Sequence, residues 1–211
     1  MAIEEEIKLT ADSVATLDAI ATDPLVLAYT QGQPVKLRSY LATYYDTPER
    51  QLLNHQLAFR MRQEGSGLLR ANLKGTGGME AGLSRRQEWE ETLSAPVQRL
   101  GELPAGELRE QVLAVADPDT PLVPLLVTDF KRRILLLHWE GSRGEMALDQ
   151  GEVRAGGRVH PLCEVELERL EGSIAPLQAL TADLMQRYPL RPSQRSKFGL
   201  GLSLLGLDRD I

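Results

Sequence analysis

The chain has 211 residues, of which 42% are hydrophobic, enough for one sizeable core. A net charge of −6 argues against a general nucleic-acid surface, and a single cysteine, Cys163, excludes an internal disulfide and fits a reducing compartment. The acidic N-terminus has no apolar core and the apolar runs at 122–126 and 134–137 are broken by charges, so neither a secretion signal nor a membrane span is expected, and the cytoplasm is the expected location.

In chain order, the first segment is Ile3-Glu4-Glu5-Glu6-Ile7-Lys8-Leu9. As a strand it puts Glu4, Glu6 and Lys8 on one face and Ile3, Glu5, Ile7 and Leu9 on the other. Ala11-Asp12-Ser13 then opens a helix with Val14, Leu17 and Ile20 at helical spacing, ending near Asp23-Pro24. Thr47-Pro48-Glu49 opens a short helical turn through Leu53. Charged alternation returns twice, in Arg60, Arg62 and Glu64 between Phe59 and Met61, and in Arg70, Asn72 and Lys74 between Leu69, Ala71 and Leu73. Gly65-Ser66-Gly67 separates these two strands.

Lys74-Gly75-Thr76-Gly77-Gly78 reads as a flexible connection. Its lysine precedes the glycines and no Gly-Lys-Ser/Thr follows, so it is no Walker motif. Arg86, Glu88 and Glu90 alternate with Gln87, Trp89 and Glu91. Residues 98–116 predict one or two helices, interrupted by Gly101 and Pro104. Two more alternating strands follow, Glu145, Ala147 and Asp149 against Met146 and Leu148, then Glu164, Glu166 and Glu168 against Cys163, Val165 and Leu167. Gly172-Ser173 introduces a last helix with Ile174, Leu177, Leu180 and Leu184 on one face, ended by the 189–192 stretch.

Helices inserted between groups of strands favour an antiparallel α+β fold over βαβ units. The charged faces fit either an open solvated sheet or a closed barrel with a charged interior and its apolar faces covered by helices. Small barrels normally fill their interior with apolar side chains, so a charged lumen needs a ligand or ions. Carboxylates about 7 Å apart repel by roughly 2 kcal/mol at an effective dielectric near 20, against about 0.6 kcal/mol in water. Enclosed acidic residues therefore need cations, and enclosed Lys8, Arg60, Arg62 and Lys74 need an anion. A divalent metal with a polyanionic phosphate meets both needs.

The Glu4-x-Glu6-x-Lys8 start resembles the signature of the CYTH domain, or triphosphate tunnel metalloenzyme family. The resemblance continues in family order through Tyr44-Tyr45-Asp46-Thr47-Pro48, residues 57–62, Lys74, Arg86-x-Glu88, Thr128-Asp129-Phe130-x-Arg132, residues 148–153, Glu164-x-Glu166 and Ser196-Lys197. It implies a single domain over 1–211: an α+β, eight-stranded antiparallel closed β-barrel with helices packed outside, binding triphosphate and a divalent metal, Mg²⁺ or Mn²⁺. The motifs are most similar to bacterial inorganic triphosphatases. In many of those a helical CHAD domain follows the tunnel, so the chain is expected to be a stand-alone enzyme or the N-terminal part of such a protein.

Arg60 and Arg62 offer guanidinium forks to phosphate oxygens, with Lys8, Lys74, Arg132 and Lys197 completing the substrate set. For Arg132 the register is open, since Lys131 or Arg133 could face inward instead. Glu4, Glu6, Asp149, Glu164 and Glu166 are the metal-ligand candidates, with Glu88 and Glu90 as supporting acids, because hard cations take carboxylate oxygens. Glu4, Glu6 and Lys8 are the residues expected to carry catalysis. Glu168, at a strand end, is expected to be solvent-exposed, and Glu5 and Glu91 fall on the outer parity. Cys163 is a packing residue, and the three histidines have no zinc-site spacing. The expected reaction is hydrolysis of inorganic triphosphate to diphosphate and phosphate. The alternatives are a class IV adenylate cyclase, a thiamine triphosphatase, or a non-catalytic polyphosphate-binding module. No nucleic-acid or membrane partner is expected.

Overall fold

A computed structural model of the protein describes residues 2–75, 79–80 and 82–207. In chain order the elements are β1 (Ala2–Ala11), α1 (Val14–Ala21), α2 (Pro24–Tyr29), β2 (Lys36–Asp46), α3 (Gln51–Asn54), β3 (Leu57–Glu64), β4 (Leu69–Gly75), β5 (Met79–Glu80) and β6 (Leu83–Leu93). A 3₁₀ turn at Leu100–Glu102 leads to α4 (Glu107–Leu113), β7 (Val123–Trp139), β8 (Ser142–Ala155), β9 (Arg158–Glu171), α5 (Ala175–Arg187), β10 (Leu190–Pro192) and α6 (Lys197–Leu204).

Eight antiparallel strands close into a barrel in the order β1-β9-β8-β7-β2-β3-β4-β6, with β6 returning to β1. Closure runs from Ala2↔Glu88 to Ile7↔Leu83, and β10 then pairs with the remaining end of β1 at Leu9–Ala11. β5 lies beside the start of β6. The cross-strand pairs Glu6↔Glu168, Glu168↔Glu145, Asp149↔Arg132 and Arg60↔Asn72 show that the charged faces share one parity around the barrel.

The opposite, apolar parity faces out and is buried under helices, as the alternation requires. Ile7, Leu9, Leu148, Val165 and Leu167 pack with Leu17 and Ile20 of α1 and with Leu177, Leu180 and Leu184 of α5. Phe59, Met61, Leu73 and Trp89 pack under Leu100, Leu103 and the α4 residues Leu108 and Val112. No side-chain position is described for Ile3, and Thr76-Gly77-Gly78 of the expected connection lies outside the described residues.

A third cluster departs from the rule. Tyr44, Leu126, Val153 and Leu162 share the inner parity of the charged rows, yet they pack with Phe198 and Leu202 of α6. This helix closes part of one barrel end. Gly201 allows it, since a Cβ there would stand 2.4 Å from a Leu126 methyl.

Several boundaries differ from the sequence reading. Asp23-Pro24 ends α1 but also starts α2, because the Asp23 carboxylate accepts from the Leu25 N–H at 2.7 Å and Pro24 occupies the first helical turn. The 47–53 helical turn is shorter and later, at α3, where the buried Asp46 carboxylate accepts from the N–H groups of Thr47, Leu52 and Leu53. Residues 197–204 form a further helix beyond the last one expected, capped by Ser196, whose hydroxyl accepts from the Gly199 N–H. Among the described residues no helix is long and apolar enough to cross a membrane.

Asp23 joins three elements, also accepting from the Tyr188 hydroxyl at 2.7 Å and facing Arg187. Burial opposes its ionisation, but Tyr188, the Leu25 N–H and Arg187 outweigh burial and hold the carboxyl below its ordinary value. A depressed folded-state pKa contributes stability above the unfolded value and loses it as pH falls through the folded one. Asp23→Asn should therefore cost about 1–3 kcal/mol at pH 7. The difference from wild type should shrink below pH 4, as urea unfolding at both pH values would measure.

Candidate active site

The barrel encloses a cavity of about 780 Å³ lined by residues from the barrel strands and by the start of α6. Its first wall is β1 with β6. Glu4 accepts from Lys74 Nζ at 2.9 Å and from Arg86 Nε at 2.8 Å, while the other arm of Arg86 reaches Glu6 at 2.5 Å. Lys8 sits 2.8 Å from Glu166 and 3.4 Å from Glu6. Burial opposes ionisation of Glu4, yet Lys74 and Arg86 hold its carboxyl down at about 2.

On β7, β8 and β9 the acids converge. Arg132 binds Asp149 through two nitrogens at 2.6 Å and also contacts Glu166. Lys197, from the first turn of α6, places Nζ 2.7 Å from Asp149, Glu164 and Glu166. Burial works against the charge of Lys197 and Arg132, but the surrounding carboxylates raise both well above their ordinary values. Asp149, Glu164 and Glu166 have oxygens within 4.8 Å of one another, a spacing that could hold a metal ion. β7 and β8 come close at this point because Gly151 faces Phe130; a Cβ on it would lie 2.5 Å from the Phe130 Cα.

Across the cavity, β3 and β4 form a basic wall. Arg60 donates to the Tyr44 hydroxyl at 3.2 Å, and Arg62 lies 4.8 Å above the Tyr40 ring. The Arg62 contacts to Glu64 and Glu90 are both 3.5 Å, too long for good hydrogen bonds. Among the described residues the buried Nε atoms of Arg60 and Arg62 have no hydrogen-bond partner. Asn72 donates to Glu90 at 2.7 Å and to Glu88 at 3.2 Å, and Lys74 lies 3.4 Å from Glu88.

Every residue of the expected set, Glu4, Glu6, Lys8, Arg60, Arg62, Lys74, Glu88, Glu90, Arg132, Asp149, Glu164, Glu166 and Lys197, lines the cavity or contacts a residue that does. Arg132 is the inward member of its triplet: Lys131 is exposed, and Arg133 pairs with Asp18 of α1. Glu5 pairs outside with Arg85 and Arg169. Glu168 corrects the sequence reading. It is partly buried on the cavity wall, because β9 continues past it to Glu171 and its partner β8 shields it. Burial and its neighbours Glu4 and Glu145 push its carboxyl up to about 7. Glu145 is also raised, chiefly by burial.

Arg86, Glu145 and Glu168 therefore belong to the site. Their signal was present in the inward parity they share with Glu88, Asp149 and Glu166. Tyr40, Tyr44 and Phe130 also line the cavity but carry no charge for an alternation to reveal.

Asp149 is fully buried, and removing its charge takes a carboxylate from both Arg132 and Lys197. Asp149→Asn should lose about 3–5 kcal/mol in urea unfolding with chelator present, whereas Glu90→Gln, on the exposed side of the wall, should lose no more than about 1 kcal/mol.

Comparison with known proteins agrees with this geometry. An inorganic triphosphatase from Haemophilus influenzae is 32% identical over 140 residues, which is 64% of this chain and 37% of that protein; the match thus spans little over a third of the relative. A candidate adenylyl cyclase from Hippeastrum with a dominant triphosphatase activity superposes with a TM-score of 0.71 at 22% identity, covering 95% of each chain. A Pyrococcus horikoshii protein superposes at 0.57 with 15% identity, covering 94% of this chain and 99% of that one. At these identities both superpositions speak for the fold alone. The CYTH domain model matches residues 2–198, and with that span and this charged barrel the chain belongs to the CYTH family.

Proposed function

We propose that this chain hydrolyses inorganic triphosphate to diphosphate and phosphate inside the barrel, with a divalent metal ion. The observation that carries the reading is the polarised cavity. On one wall Arg60 has no carboxylate at ion-pair distance among the described residues, and Arg62 has only long contacts of 3.5 Å. Opposite them Glu145 and Glu168 have no cation at ion-pair distance among the described residues, and both carboxyls are pushed up. A polyanion answers the first wall and a cation the second.

The all-carboxylate donor set suits a hard ion such as Mg²⁺ or Mn²⁺. Glu4, Glu6, Asp149, Glu164 and Glu166 would hold it, with Glu145 and Glu168 beside them. When bound, the ion supplies neutralisation of phosphate charge and polarisation of the attacking water. The chain's own groups do the rest. Arg60, Arg62, Lys8, Lys74, Arg132 and Lys197 hold the phosphate oxygens and neutralise charge as it moves to the leaving group. Glu4, Glu6 and Lys8 orient the reacting end, Glu88 lies beside Lys74, and Glu90 holds Asn72. Water oxygen bonds to the terminal phosphorus, the bridging P–O bond breaks, diphosphate leaves with the bridging oxygen, and one water proton goes to solvent while the other stays on the phosphate product.

A base-free substrate is favoured over ATP or thiamine triphosphate by the aromatic groups. Tyr40 lies under Arg62 and Arg132, Tyr44 under Arg60, and Phe130 under Arg132 and Lys197. These ring faces already carry cations, which leaves them little room to stack a base or thiazole ring. The adenylate cyclase and thiamine triphosphatase readings rest on the family resemblance, and each needs a nucleobase or thiazole site. A non-catalytic polyphosphate module would need the cations without this acidic wall. We also propose a cytoplasmic location and, in a longer chain, a CHAD domain after the tunnel.

The purified protein should release phosphate from triphosphate with Mg²⁺ or Mn²⁺ and stop when chelator is added. Cyclic AMP formed from ATP, in the same panel with thiamine triphosphate and long polyphosphate, would overturn the hydrolase reading. Arg60→Ala or Arg62→Ala should weaken triphosphate binding by about 1.5–3 kcal/mol in calorimetry. Glu4→Gln or Glu6→Gln should keep most of that affinity but lose metal-dependent turnover, while Glu5→Gln turns over normally.

A further inference from the structure

The carboxylates best placed to hold a metal already hold a cation of the chain's own. Lys197 Nζ is 2.7 Å from Asp149 Oδ2, Glu164 Oε2 and Glu166 Oε1, and these are the residues whose oxygens converge within 4.8 Å. At 5% exposure Lys197 is enclosed by the site, not resting on its rim. An Mg²⁺-sized ion would draw those oxygens to about 2.0–2.1 Å, in the space the ammonium fills. Ammonium and metal are therefore alternatives at this cluster.

Of the three cations on these acids, Lys197 is the one not carried by a barrel strand: Lys8, 2.8 Å from Glu166, belongs to β1. Arg132 is built into β7 and bound to Asp149 through two nitrogens. Lys197 starts α6, which packs on the barrel end, and its long side chain borders the cavity beside Phe130. The next residue, Phe198, stacks on Tyr44 at 5.1 Å, and Tyr44 accepts from Arg60. Lys197, Arg60 and Arg62 line the same cavity, so an anion bound there would draw the Lys197 charge away from the carboxylates.

We propose that Lys197 is an internal competitor of the divalent metal. In the metal-free protein it occupies the Asp149–Glu164–Glu166 cluster, and the cluster accepts a divalent ion when Lys197 turns to the anion in the cavity. Only the identity of that anion rests on the function proposed above; the exclusion of metal by Lys197 does not.

The test is Mn²⁺ binding to the chelator-stripped protein without phosphate, read from the free-Mn²⁺ electron paramagnetic resonance signal and from Mn²⁺-dependent change in melting temperature. Lys197→Met keeps the side-chain length and removes the charge. It should bind Mn²⁺ roughly tenfold or more tightly than wild type, and Mn²⁺ should raise its melting temperature more. Lys197→Arg, which keeps a cation, should match wild type, and Asp149→Asn added to Lys197→Met should abolish the gain. Equal or weaker Mn²⁺ binding by Lys197→Met overturns the proposal. Should Lys197→Met fold only when Mn²⁺ is present, the proposal stands; should it fail to fold even with Mn²⁺ while Lys197→Arg folds, Lys197 is structural and the proposal falls. No phosphate bond is broken in this measurement, so its outcome is separate from that of the hydrolysis assay.

Discussion

Charge pairing inside a closed barrel is the constraint on which the other features of this molecule depend. Eight strands put alternate residues into a space that water shares only in part, and many of those residues are ionised. A buried ion without a partner costs several kcal/mol, so each charge must find an opposite one on a neighbouring strand. The register supplies them: Arg86 faces Glu4, Arg132 faces Asp149, Lys8 faces Glu166 and Lys74 faces Glu88. A one-residue slip in any strand would send its charges into the apolar layer outside, so the ion pairs and the hydrophobic shell fix the same register.

The pairing is dense but uneven, and the unevenness is where chemistry can happen. Arg62 has only long contacts to carboxylates, and burial with neighbouring acids pushes the carboxyls of Glu145 and Glu168 up. Well-paired groups set the shape of the cavity, and underpaired groups give it an appetite for ligands of both signs. Tyr40, Tyr44 and Phe130 mediate between the two by lying against the cationic groups, which holds the arginines in place without neutralising them.

Inverting the usual barrel has a consequence outside. With charge within, the core must be built between the sheet and its helices, and it divides into separate clusters. One of these enters the barrel end, where α6 covers Tyr44, Leu126 and Val153 and brings Lys197 onto three carboxylates. Packing and electrostatics meet at that helix, since Phe198 is held by an aromatic ring while the residue before it is held by charge.

Alternation determined the strand faces, because side chains on a strand switch sides at every residue whatever the strand pairs with. Glu4, Glu6, Lys8, Arg60, Arg62, Lys74, Asp149, Glu164 and Glu166 were legible as one face for that reason, and so were the amphipathic helices α1 and α5. Two barrel strands lacked the signal: β2 and much of β7 turn Tyr40, Ala42, Tyr44, Leu126 and Phe130 inward, so no charge marks their period. Only the tertiary structure decided which charges meet. Glu168 looked like a strand end until β8 and β1 flanked it, and Lys197 met its three carboxylates only when α6 docked against Leu126. Both outcomes depend on contacts between residues far apart in the chain, about which the local pattern of either partner carries no information.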